Sequence, residues 1–216
     1  MESSFWIVPV VALTLLFTAG PVCLAEGDGV GTPELQKGEL LFIDDFQTTK
    51  VGGSWGCVRG ENQSNYYDDG KYIINVAPAD SWWRVSSGKS FGDSIVEVEA
   101  TPISGPDDNV YGVMAGWLNW SNYYLFLISG DGYYKFTKRE GGAWIQNDPW
   151  TKSDAINLGK AMNLIQVKRQ GETLSFCANG KKMADYVDDS FPEGKVGFIA
   201  GTTACGGGSG YDAHFC

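Results

Sequence analysis

The sequence predicts an all-β fold in which two antiparallel sheets pack face to face. Three observations lead there. The chain is cut into short segments rich in β-branched and aromatic residues, each bounded by Gly, Asp, Asn or Pro. No stretch after residue 25 keeps a helical period, and "DAINLGKAM" (154–162) has room for one helical turn at most. The punctuation includes 29 glycines, many of them where hairpins need a positive φ.

The elements follow in order. Residues 1–25 read as a signal peptide. "FWIVPVVALTLLF" is apolar but shorter than the roughly 20 residues that span a bilayer. Helix breakers follow it, and small residues at Cys23 and Ala25 suit cleavage after Ala25. The segment "MESS" departs from the usual pattern because it holds Glu2 and no Lys or Arg. Residues 26–38, Gly-rich and polar, read as a flexible linker. Residues 39–216 read as one sandwich domain. Its expected strands are 40–46, 71–76, 94–101, 110–117, 122–129, 132–138, 163–169, 173–180, 182–187 and 195–201, with a further strand in "SWWRVS" (81–86).

Composition bounds the partners. Of 216 residues, 16 are Lys or Arg and 26 are Asp or Glu, a formal charge of −10, and no basic run exceeds two residues. Such a surface repels a phosphate backbone, which argues against nucleic acid. The leader predicts a secreted or periplasmic location, with no membrane span after cleavage. Cys57, Cys177, Cys205 and Cys216 remain in the mature chain, and in an oxidising compartment they predict two disulfides of open pairing. Their spacing suits no zinc knuckle, and His214 is the sole histidine. Asn62-Gln-Ser and Asn119-Trp-Ser fit the N-glycosylation pattern, which operates only in a eukaryotic secretory path.

The hairpin "NYYLFLISGDGYYKF" (122–136) concentrates the aromatics. A two-residue turn in Ser129-Gly-Asp-Gly132 would put Tyr123, Leu125 and Leu127 with Tyr134 and Phe136 in the core. It would leave Tyr124, Phe126, Ile128, Tyr133, Lys135 and Thr137 on the other face. Trp82 and Arg84 oppose Trp83 and Val85, and Glu97 and Glu99 oppose Val96 and Val98. One face of each strand therefore reads as core. The other reads as polar with occasional rings.

"FGDSIVEVEA", the tyrosine-rich strand with its Gly-Asp-Gly turn, and "ANGKKMADYVDDSFPEGKVGF" resemble the concanavalin A-like lectin and glucanase jelly rolls. The resemblance is strongest to the laminin-G-like and 3-keto-disaccharide hydrolase (DUF1080-type) branch, and it covers residues 40–215. It implies two curved sheets with ligands on the concave one. It also implies a structural calcium where first and last strands meet, for which Asp45 and Asp212 are the candidate ligands.

Sugar rings stack on Trp or Tyr while neighbouring polar groups bond their hydroxyls. Trp82, Arg84, Tyr124, Tyr133, Trp117 and Trp120 are the expected ligand residues. The function expected is an exported, non-catalytic, lectin-like module that binds carbohydrate, such as an extracellular glycoconjugate, or another extracellular ligand. One alternative is a glycoside hydrolase using Glu97 and Glu99 as its paired carboxylates, although Ile95 breaks the E-x-D-x-E pattern of the glucanases. The other is an adhesive or structural surface domain without a small ligand.

Overall fold

The structure, a computed structural model, describes residues 9–12, 41–44, 46, 55–77 and 81–202. Every regular element among them is a strand. In chain order these are β1 (Pro9–Ala12), β2 (Val58–Arg59), β3 (Gln63–Asp68), β4 (Lys71–Val76), β5 (Trp82–Phe91), β6 (Ser94–Pro102), β7 (Val110–Asn119) and β8 (Asn122–Ser129). There follow β9 (Tyr133–Glu140), β10 (Ala143–Asn147), β11 (Thr151–Lys152), β12 (Asn163–Gln170), β13 (Thr173–Ala178), β14 (Lys181–Val187) and β15 (Gly194–Gly201). An eight-stranded sheet has the order β14-β13-β12-β6-β1-β4-β3-β2. A seven-stranded sheet has the order β10-β9-β8-β7-β15-β5, with β11 also on β9. Residues 154–162, where one helical turn had room, form turns instead.

The core lies between the sheets. The eight-stranded sheet contributes Tyr72, Ile74, Val96, Val98, Ile165, Val167 and Phe176; the seven-stranded one contributes Val113, Tyr124, Phe126, Phe136 and Phe198. Alternation forces this division, because every second side chain points inward. Each large apolar side chain buried here stabilises the fold by about 1.5–3 kcal/mol. Trp55 closes one region by stacking on Phe198 at 4.3 Å between ring centres.

Two hairpins show how turn chemistry sets the faces. At Asn179-Gly180 both residues have positive φ, 51° and 81°, and Ala178 pairs with Lys181 across a two-residue turn. The Gly-Asp-Gly turn behaves differently. Ile128 pairs with Tyr134 and Phe126 with Phe136, so three residues, Gly130 to Gly132, form the loop. The extra residue is docked elsewhere: Asp131 N–H donates to the Asp107 carbonyl at 3.0 Å, and Gly159 N–H donates to the Gly130 carbonyl at 2.7 Å. A Cβ on Gly130 would lie 2.9 Å from the Gly159 oxygen, so only glycine fits that approach.

One residue more in the loop reverses the predicted faces of β8. Tyr124, Phe126 and Ile128 are core; Tyr123, Leu125 and Leu127 point outward. On β9 the outward residues remain Tyr133, Lys135 and Thr137, now joined by Arg139.

The structure bears on the other expectations unevenly. β1 lies within the predicted leader and pairs with β4 and β6. Among the described residues no helix is long and apolar enough to cross a membrane. Cys57 is an exposed free thiol, which corrects the expectation of two bridges drawn from all four cysteines. Cys177 is buried in β13 and disulfide-bonded. Asp45, Asp212, Cys205, Cys216 and the linker lie outside the described residues.

Candidate functional site: the outward face of the seven-stranded sheet

Five neighbouring strands build this face. Its outward residues are Trp82 and Arg84 on β5, Gly112, Met114 and Trp117 on β7, Tyr123, Leu125 and Leu127 on β8, Tyr133, Lys135, Thr137 and Arg139 on β9, and Lys195, Gly197, Ile199 and Gly201 on β15. None is Asp or Glu. One cross-strand row reads Arg84, Ile199, Gly112, Leu127, Lys135.

Its first layer is apolar and buried. Met114, Tyr123, Leu125, Leu127 and Ile199 are each at most 2% exposed although they point away from the main core. A buried layer on an outward sheet face needs a roof. Trp82, Trp117 and Trp150 supply it and remain partly exposed. The glycines leave room beneath. A Cβ on Gly201 would sit 2.8 Å from the Trp82 ring, and one on Gly197 would meet the Met114 methyl at 2.5 Å. Arg84 on β5 reaches over the sheet towards β8. Its guanidinium carbon ends 6.0 Å from the centre of the Tyr123 ring.

The second layer alternates rings and cations. Lys195 lies 5.0 Å from the Trp117 ring centre, Lys152 5.3 Å from Tyr133, Arg139 5.4 Å from Trp144, and Lys135 5.6 Å from Trp150. Arg139 also donates to the Gly142 carbonyl and, at 3.4 Å, to the Tyr123 hydroxyl. Trp120, in the β7–β8 turn, meets Trp117 edge to face at 5.1 Å. Trp120 and Trp144 stand nearly half exposed. Burial pulls the Lys135 ammonium below its usual pKa, and Asp148 nearby works against that shift. Two donors on this face, Arg84 Nε and Trp117 Nε1, are buried and have no hydrogen-bond partner among the described residues. A buried donor left unpaired costs about 1–3 kcal/mol.

The predicted site residues separate into three places. Trp82, Arg84, Trp117, Trp120 and Tyr133 come together on this side. Tyr124 does not, and its expected place on a ligand surface is corrected. It is fully buried between the sheets, where its hydroxyl donates to Asp188 at 2.5 Å and accepts from Phe191 N–H at 3.3 Å. Burial pushes the Tyr124 hydroxyl well above the usual tyrosine range. Lys138 Nζ joins the network, 2.7 Å from Asp188 and 2.9 Å from Glu140. Asp188 is partly buried, which favours its neutral form. The bonds from Lys138, Tyr124 and Ser190 outweigh that and hold the carboxyl down at about 2.

Glu97 and Glu99 lie on the opposite side of the molecule, on the outward face of the eight-stranded sheet. There Glu97 faces Gln166, whose amide donates to it, and Glu99 faces Leu164. Sequence reasoning missed Tyr123, Arg139, Trp144, Trp150 and Lys195. The signal available was the repeated neighbouring of cation and aromatic residues in "GYYKFTKRE" and "DPWTK".

No protein-family model matches the chain. No curated protein matches it either. Solved structures do. The carbohydrate-binding module CBM66 from Bacillus subtilis matches with a TM-score of 0.53 and 20% identity, over 68% of this chain and 86% of that one. A Bacillus subtilis protein of unknown function with a galectin-like fold gives 0.54 and 12%, over 74% and 88%. The Crh5 transglycosylase gives 0.53 and 10%, over 79% and 71%. At such identities these likenesses speak to architecture. The chain is similar to them in fold, as an antiparallel two-sheet sandwich.

Proposed function

We propose that the chain is an exported, non-catalytic module that binds carbohydrate on the outward face of its seven-stranded sheet. The observation that carries this reading is the combination found there: partly exposed indole rings over a rigid apolar layer, beside donors that lack acceptors. A pyranose offers an apolar face for the rings and oxygen lone pairs for the donors. The similarity in fold to a carbohydrate-binding module supports the reading.

The hydrolase alternative needs two carboxyl groups across one glycosidic bond. The five strands of this face offer none at their outward positions. Glu97 and Glu99 face away from the rings. Export rests on the leader reading, and secreted protein beginning at Glu26 is its expected product.

The test is a glycan array probed with the full chain, alongside Trp117→Ala and Trp82→Ala. The reading predicts retention of specific glycans by the parent and at least a tenfold loss in each variant, about 1.4 kcal/mol or more. Equal retention by all three would place the site elsewhere. No retention by any would favour the structural-domain alternative.

A further inference from the structure

The unusual feature of the sugar-binding face is its charge. Acidic groups outnumber basic ones 26 to 16 in this chain, so a cation should easily find a carboxylate. Elsewhere some do: Lys138, Lys181 and Lys182 each form an ion pair at 2.6–2.9 Å, whereas Arg59 and Lys89 lie over the rings of Tyr66 and Phe42. On the outward face of the seven-stranded sheet Arg84, Lys135, Arg139, Lys152 and Lys195 form none among the described residues, and each lies instead against an aromatic ring. Asp148 is the one carboxylate whose field reaches Lys135. The unpartnered Arg84 Nε adds a donor inside the same cluster. Gathering positive charge and excluding negative charge on one face of an acidic molecule lowers stability unless an anion completes it.

We propose that the ligand of this face is an acidic polysaccharide whose sugar rings carry carboxylates, a polyuronate. The inference rests on the carbohydrate-binding reading above and narrows it to one class. A uronate holds its carboxylate on the ring carbon C5, close to the mean plane of the ring. A ring stacked on an indole therefore presents its charge at the ring's edge, level with the neighbouring cations. Neutral hydroxyls would satisfy the donors but leave the cations without counter-charge. The acidic remainder of the protein repels a polyanion, so contact is confined to this face and weakens as salt screens it.

The experiment is calorimetric titration of the full chain with oligogalacturonate, at low and at physiological salt. Fully methyl-esterified oligogalacturonate and a sulfated dextran run in parallel. The proposal predicts binding to the free acid, at least about tenfold weaker binding to the ester, and an affinity that falls by about tenfold or more between 50 and 200 mM salt. Arg84→Gln and Lys195→Gln should each weaken binding several-fold and flatten the salt dependence, with thermal unfolding confirming that both variants fold. Lys168→Gln, on the other sheet, should bind as the parent does. Equal affinity for acid and ester, or salt-insensitive binding, overturns the polyuronate inference while leaving carbohydrate binding intact. Binding of the sulfated dextran alone overturns it in favour of sulfate. Binding of no glycan of any kind, neutral ones included, overturns the underlying reading itself.

Discussion

The two outward faces of this sandwich are built from the same alternation and come out opposite in chemistry. On the eight-stranded sheet, outward acidic groups have polar partners. Glu97 takes a bond from Gln166, and Asp185 is paired with Lys182 in a row that includes Lys168 and Ser175. On the seven-stranded sheet the outward side chains form a second apolar layer, capped by tryptophans and edged by cations that lie against aromatic rings. The first face is what water alone requires. The second places hydrophobic surface and positive charge where water gains nothing, and that difference is the basis for proposing it as the ligand face.

The largest expected effect on stability is at Tyr123, which is outward and yet fully buried. Tyr123→Ala should cost about 3–5 kcal/mol, as for a core aromatic, whereas Glu97→Gln on the other face should stay within about 0.5 kcal/mol. Chemical denaturation of both variants checks this, and similar small losses would erase the contrast.

Next comes acid sensitivity at the edge between the sheets. The Asp188 carboxyl is held at about 2 against an ordinary 3.8, so its contribution is complete above about 4 and is lost as pH falls towards 2. Thermal unfolding between pH 5 and pH 2 should show Asp188→Asn less stable at pH 5 and closer to the parent at pH 2. A constant difference across that range would mean that Asp188 acts through shape rather than charge. Lys138 is raised despite its burial, through Asp188 and Glu140, so its own contribution fades only in strongly alkaline solution.

The smallest effect belongs to the exposed Lys181–Asp154 pair, 2.7 Å apart on the surface. Lys181→Gln should change stability by less than about 1 kcal/mol, and less still in high salt.

Much of the fold was legible because strand signals are local. The Asn-Gly turn fixes its hairpin by its own two residues, and Val96 and Val98 announce a core face by spacing alone. The faces of β8 were not legible in this way. Three residues rather than two close its hairpin, because Gly130 and Asp131 bond to loops distant in sequence. That single addition exchanged Tyr124 with Tyr123.

The site was half legible for a related reason. Alternation says whether a side chain points in or out, but not which of two sheets holds it. Glu97 and Arg84 are both outward and share no surface. The apolar run at residues 5–17 fits a leader and a strand equally well, since both require only short hydrophobic sequence, and β1 is drawn from it.

The tryptophans allow the most direct test of the central claim. Trp82, Trp117 and Trp150 roof the outward layer, whereas Trp83 donates to Asn65 at 2.7 Å and Trp55 stacks on Phe198. In an NMR titration with a bound oligosaccharide, the indole N–H signals of the first three should shift while those of Trp55 and Trp83 hold still. Shifts centred instead on the amides of Glu97, Glu99 and Gln166, with the three indoles unmoved, would contradict the account.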